Sequence, residues 1–396
     1  MKIFAFCAGL ALAISLASLS RNAQAQTSPL PPLNDPLYIR LMAQTSPTQA
    51  EVVEGASVKH SAYELYIANY GGTPMKIAEV TISGKHRGKL TLEEHHAGED
   101  LKNMFKLASG KTEQESQAIL EPGASAAIFL FPALTSDRPT PDRFETAIKV
   151  EGQGDHGGSG TIHVAPIMVD RAPPVVITSP VDGPDWQAAN GPSNTSAHRR
   201  ALLFVNGRGR IGQRYAIDWV QLGNNGLTYR GDEHRNASYF AYDHEIRAVA
   251  DGTIVDVKDG IPENTPNSDK TAVQITYDTL AGNRIVEDLG GGRFAAYAHL
   301  RPGTITVKRG SHVHAGQIIG RLGNTGNSSE PHLHFQICDA PSFVDSEGLP
   351  FAIDRFTRQS YRISTDTAGK QHLTTGSGVQ ISNQEPMENE LDNFRR

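Results

Sequence analysis

The 396-residue sequence predicts an all-β protein of two domains, and three observations carry that expectation. From Glu51 to about residue 150, short apolar runs alternate with glycine-, proline- and asparagine-rich turns. A proline-rich join, DRAPPVVITSPVDGPD, occupies Asp170 to Asp185. Beyond it the pattern is again short strands and turns, ending in a polar turn, GNTGNSSEP, that runs straight into His332-Leu333-His334 and an apolar strand. The length suits two to three domains with ample core. A net charge of -6 and a pI near 6.2 give no electrostatic case for a nucleic-acid partner.

The chain opens Met1-Lys2, continues with an apolar run from Ile3 to Leu19, and reaches a small-x-small site at Ala23-Gln24-Ala25. A basic start, a short apolar core and a processing site read as a secretory signal peptide over residues 1–25, which implies a periplasmic or secreted protein. The core is shorter than the ~20 apolar residues a spanning helix needs, and no later segment is long and apolar enough, so no stable membrane anchor is expected. Cys7 would leave with the signal, and the small-residue context of a lipoprotein signal is missing ahead of it. Cys338 then remains as a single cysteine, and packing rather than an internal disulfide must stabilise the fold.

Residues 26–50, rich in Pro, Ser, Thr and Gln, read as a linker. In residues 51–170 the segment Ala62 to Tyr70, the pair Gly71-Gly72 and the run Met75 to Ile82 give a hairpin signal. Glu121-Pro122-Gly123 opens a strand at Ala126 to Phe131, and Phe144 to Val150 alternates before a glycine-rich turn. Strands at this spacing suggest an antiparallel, immunoglobulin-like β-sandwich, with a short helix at Asp100 to Ala108. His60, His95 and His96 lack ligand spacing and are assigned no chemistry. Residues 171–190 are the proline-rich linker, 191–365 the second domain and 366–396 a polar tail. The last dozen residues are too poor in apolar side chains to offset the entropy of ordering, and are expected to be mobile.

The chemistry concentrates in the second domain. Residues two apart on a strand share a face, so His332 and His334 present two imidazoles side by side while Leu333 packs behind them. Tyr297-Ala298-His299-Leu300 supplies another strand histidine, and Arg214 to Trp219 brings the carboxylate of Asp218 into an apolar strand. With the run Gly323 to Gln336, these segments resemble the M23 zinc metallopeptidases of the lysostaphin and LytM type over roughly Ala197 to Phe356. The resemblance implies the duplicated hybrid motif of that family. Within it, Glu245 to Val255 and Gly310 to Gly326 are loosely alike, each a β run, a turn and a return strand.

The resemblance further implies that Asp218 and His334 bind Zn2+, that His299 and His332 are catalytic, and that the substrate is peptide within bacterial cell-wall peptidoglycan. Two imidazoles and a carboxylate, with a fourth position left open, form the kind of zinc site that hydrolases use. One position departs from the family: the first metal-binding histidine should fall at 214, and this chain has Arg214. A guanidinium stays protonated and cannot ligate zinc. That departure keeps a second reading open, an inactive domain that binds and activates a cell-wall amidase partner.

The missing ligand is assigned to His198. A hairpin with a five-residue loop, Val205 facing Ile211, would set His198 opposite Asp218 on one face, with Cβ atoms ~5 Å apart. A one-residue slip would turn it away, so the inference depends on the loop. Arg214 would then hold a substrate carboxylate or a nearby acid. A second His-x-His, His312-Val313-His314, sits between glycine turns and reads as surface.

Overall fold

A computed structural model describes residues 41–46, 49–55, 58–110, 117–135, 137–153 and 158–395. The expected signal peptide and most of the first linker lie outside the described residues. Among those described, the regular structure is nearly all β-strand, with one short α-helix, Gly98–Met104, where the sequence suggested Asp100 to Ala108, and one 3-10 turn, Asn236–Ser238.

The N-terminal half is a two-layer sandwich. Strand Arg143–Gly152 illustrates why: Phe144, Thr146, Ile148 and Val150 are buried while their neighbours face outward, the period-2 pattern of a half-buried strand. One layer contains Leu41–Ser46, Tyr63–Asn69, Ser125–Leu130 and Phe105–Leu107, and the other is built around Met75–His86, Arg143–Gly152 and Ser159–Asp170. Leu65 and Ile128 from the first layer meet Val80 and Ile148 from the second in one apolar core.

The sandwich departs from the sequence expectation at three points. Tyr63–Asn69 and Met75–His86 do not form a hairpin; they lie in different layers, because the first pairs with Ser125–Leu130 and the second with Arg143–Gly152. The stretch read as a linker contributes strands, since Leu41 pairs with Asn69 and ladder bonds compensate for its weak apolar pattern. One pairing is parallel, Met168–Asp170 beside Gln49–Glu51, where a purely antiparallel sandwich was expected.

The second half is organised on a large sheet in which Asn283–Asp288, Phe294–Leu300, Leu333–Cys338, Ile217–Gln221 and Gly183–Ala189 lie side by side. Its core gathers Trp186, Trp219, Tyr297, Phe335 and Phe351. The two segments alike in sequence pair with each other twice: Glu245–Arg247 with Ile318–Arg321, and Gly252–Lys258 with His312–Val313. The proline-rich join is part of this domain rather than a linker, because Val175–Ile177 pairs with Phe351–Ile353 and Gly183–Ala189 sits in the sheet. The tail, too, is built into the sheet. Strand Leu391–Phe394 pairs with Gly183–Ala189, Leu391 is fully buried, and the Phe394 ring lies 5.2 Å from Trp219. Composition averaged over the tail hides the two residues that fill this slot. No helix of the described residues is long and apolar enough to cross a membrane.

Candidate metal centre

Asp218 and His334 are direct partners across neighbouring antiparallel strands, Ile217–Gln221 and Leu333–Cys338. Alternation turns Trp219, Leu333 and Phe335 into the core and leaves Asp218 and His334 on the opposite face, as the sequence pattern requires. His334 Nδ1 lies 3.0 Å from Asp218 Oδ1. On its far side, His334 Nε2 donates to Gln336 Oε1 at 2.9 Å, which frees Nδ1 to present a lone pair. Gln336 shares the face by the same two-residue step, so alternation along His-Leu-His-Phe-Gln could have found it.

His198 reaches the same carboxylate, with Nε2 3.2 Å from Asp218 Oδ2, but not by the expected route. The hairpin closes on the two-residue turn Asn206-Gly207, with Val205 facing Arg208. Both turn residues have positive φ, 51° and 75°, as the commonest two-residue hairpin demands. The strand begins at Leu203, and His198 lies upstream of it in a turn over residues 197–200. Its Nδ1 donates to the Ala216 carbonyl at 3.2 Å, which leaves Nε2 facing Asp218. Asn190 Nδ2 also donates to Asp218 Oδ2, at 2.9 Å, and fixes the carboxylate from behind.

The remaining two histidines close the cluster. His332 Nδ1 donates to the Glu330 carbonyl at 2.8 Å and its Nε2 lies 3.3 Å from Asp218 Oδ1. His299 would point the wrong way on a regular strand, because Tyr297 two residues earlier faces the core. A β-bulge corrects this: Asn283 opposes Leu300 and Ile285 opposes Tyr297, so one extra residue is accommodated. His299 takes that place with φ +63°, and its backbone N–H is tied to the Ala281 carbonyl at 2.9 Å. A non-glycine residue in this region is strained and must be held by its surroundings. Its Nδ1 donates to the Thr325 carbonyl at 2.7 Å, and its ring centre is 4.8 Å from His332 and 5.9 Å from His334.

Burial raises the Asp218 carboxyl, but the adjacent His198 and His332 outweigh it and hold the group well below the usual range. Burial lowers His198 and His332, and Asp218 more than offsets this, so both are displaced upward. Burial keeps His334 low, and His299 lower still, where His332 and His334 add to the effect. Ligand atoms of His198, Asp218 and His334, all buried, lie within 4.8 Å of one another. Each imidazole is locked in one tautomer by a bond on its outer nitrogen, which is the donor set and outer support a zinc site needs.

Arg214 is not on the face of Asp218. Residues 212–215 form a turn instead of the expected strand, and Arg214 bonds two acids, Glu64 at 2.5 Å and Glu347 at 2.7 Å. Glu64, a buried acid on the N-terminal sandwich, carried no signal in the sequence. His314 is exposed beside Asp251, His95 pairs with Glu79, and His96 with Glu94 and Asp100, all away from the cluster.

In this all-β domain, buried histidines and a carboxylate converge on one point, a donor set that suits a metal ion. Residues 233–346 match Peptidase family M23. The matched span contains His299, His332 and His334 but neither Asp218 nor His198. The chain is 38% identical over 80 residues to the peptidoglycan DD-endopeptidase ShyA of Vibrio cholerae, 19% of this chain and 18% of that protein. It is 37% identical over 113 residues to the glycyl-glycine endopeptidase ALE-1 of Staphylococcus capitis, 28% of this chain and 26% of that one. The chain thus spans about a quarter or less of these relatives' length. The catalytic domain of lysostaphin from Staphylococcus simulans is 23% identical, over 42% of this chain and 88% of that one, at a TM-score of 0.23.

Proposed function

We propose that the protein is a zinc-dependent endopeptidase that hydrolyses peptide bonds in bacterial cell-wall peptidoglycan. The observation that carries this reading is the buried convergence of His198, Asp218 and His334 beside His299 and His332. His198 Nε2, Asp218 and His334 Nδ1 would hold the ion. When bound, zinc polarises the scissile carbonyl and makes a water acidic enough, with a pKa near ~7, to attack at neutral pH.

The chain's own residues supply the proton chemistry. His299, kept neutral by burial and with Nδ1 engaged by Thr325, offers Nε2 to take the proton of the attacking water. His332, whose charged form Asp218 favours, faces the developing oxyanion and returns a proton to the leaving amine. The two relatives are named for different peptide bonds, and the substrate proposed for this chain is the peptide part of peptidoglycan. It includes export, to the periplasm or beyond, on the leader that ends near Ala25.

The rival reading, a non-catalytic activator of a cell-wall amidase, rests on Arg214. That residue is engaged by Glu64 and Glu347, and the donor set is complete without it. The mature chain should carry close to one zinc and release soluble peptides from crosslinked peptidoglycan, with a chelator abolishing and zinc restoring the release. Metal-replete protein that cuts neither directly crosslinked nor glycine-bridged walls, yet raises the activity of an added amidase, would overturn the proposal.

A further inference from the structure

His198 differs from the other two proposed ligands in where it is held. Asp218 and His334 sit on paired strands of the C-terminal sheet, whereas His198 sits on a turn whose charged neighbour is seated in the N-terminal sandwich. Arg199 is fully buried and bonds the Glu64 carboxylate, the Tyr63 carbonyl at 3.1 Å and the Leu130 carbonyl at 3.2 Å. One residue further, Arg200 donates to the Asn103 carbonyl at 2.7 Å, and its guanidinium lies 4.3 Å from the Phe129 ring centre. Before the turn, Asn194 donates to the Phe129 carbonyl at 3.0 Å. All of these partners belong to the sandwich.

Consecutive Cα atoms are ~3.8 Å apart, so whatever fixes Arg199 fixes His198. Glu64 also grips Arg214, in the turn that leads to Ala216, whose carbonyl orients the His198 ring. Burial opposes the charge on Glu64, but Arg199 and Arg214 outweigh it and hold the carboxyl below its usual range. A buried carboxylate between two buried guanidiniums, with the Tyr63 and Leu130 carbonyls taking the second Arg199 nitrogen and Glu347 the second Arg214 nitrogen, is restricted in geometry, and that geometry sets the turn.

We infer that the N-terminal sandwich is a working part of the metal centre: through Glu64 and Arg199 it positions His198 against Asp218. The two are positioning residues for the ion. This rests on the zinc reading above, and wild-type zinc binding that is abolished by Asp218→Ala establishes that reading separately.

The test is a double-mutant cycle on the full chain, read as the zinc dissociation constant by chelator competition. Arg199→Lys keeps the charge but cannot span the three acceptors. It should weaken zinc about ten- to hundredfold, the usual effect of losing an outer support. In a His198→Ala background the same change should alter zinc affinity less than about twofold, because the ligand it positions is gone. Cobalt(II) in place of zinc should give a visible spectrum altered by Arg199→Lys and, in the His198→Ala background, indifferent to it. Should Arg199→Lys not fold, the neutral Asn194→Ala, which loosens the same turn, should weaken zinc several-fold with the same dependence on His198. Wild-type zinc affinity in the folded variant, or an equal loss with and without His198, overturns the inference. So does unchanged zinc affinity in His198→Ala while Asp218→Ala abolishes binding, a result that leaves the zinc reading standing with a different third ligand.

Discussion

Asp218 and His334 face each other across two adjacent strands, His334 Nδ1 3.0 Å from Asp218 Oδ1, with Gln336 and Asn190 bracing the pair from outside. Because groups that touch the ion supply its binding energy directly, Asp218→Ala and His334→Ala should lose zinc. His299→Ala should keep zinc and lose turnover by about 100-fold or more, the usual worth of a positioned proton acceptor. Zinc per chain and peptide release, measured on each variant, check both. Equal metal loss in all three would contradict the roles assigned.

The orientation of His299 depends on the Thr325 carbonyl, and Gly282 packs against that same carbonyl. A Cβ at Gly282 would collide with the Thr325 carbonyl oxygen, and φ is +62° there, so alanine is both crowded and strained. Gly282→Ala should therefore displace the carbonyl that holds His299, lowering kcat while zinc content stays near wild type. Unchanged kcat with the glycine replaced would show that the carbonyl does not set the ring.

Arg214 is a structural cation between two acids. Arg214→Met should leave Glu64 with one counter-charge in a buried site and cost about 3–5 kcal/mol, the range for breaking a buried ion pair. Thermal unfolding of the full chain reads this as a lowered Tm. A melting curve superimposable on wild type would mean that the pair contributes nothing to stability.

Glu287 lies buried under Tyr297, which donates to it at 2.6 Å, and burial lifts its pKa to about 7. A carboxyl raised on folding contributes stability that is fully present below its unfolded pKa and is lost as pH rises through the folded one. Stability should therefore fall between about pH 4.5 and 7 by a few kcal/mol, at about 1.4 kcal/mol per pKa unit. Glu287→Gln, neutral throughout, should remove that part of the pH dependence, so the Tm difference between variant and wild type widens in the variant's favour from pH 5 to pH 8. A difference that does not change with pH would refute this.

Local alternation and residue chemistry were enough to specify an all-β chain, the shared face of His332 and His334 with Leu333 behind them, and Asp218 as the carboxylate inside an apolar strand. These features are legible in the sequence because side-chain direction along a strand is a property of the strand alone. The sequence also named His198, although through a loop that does not exist. Tertiary structure decided the rest. The bulge that turns His299 toward the cluster arises from pairing with Asn283–Asp288, and a strand's own sequence does not state where its partner lacks a residue. The tail strand Leu391–Phe394 is ordered by a slot beside Trp219, a residue far away in the chain. His198 meets Asp218 because Glu64, 135 residues before Arg199, holds that neighbour of His198 in place, and a long-range ion pair between two domains leaves no periodic trace in either.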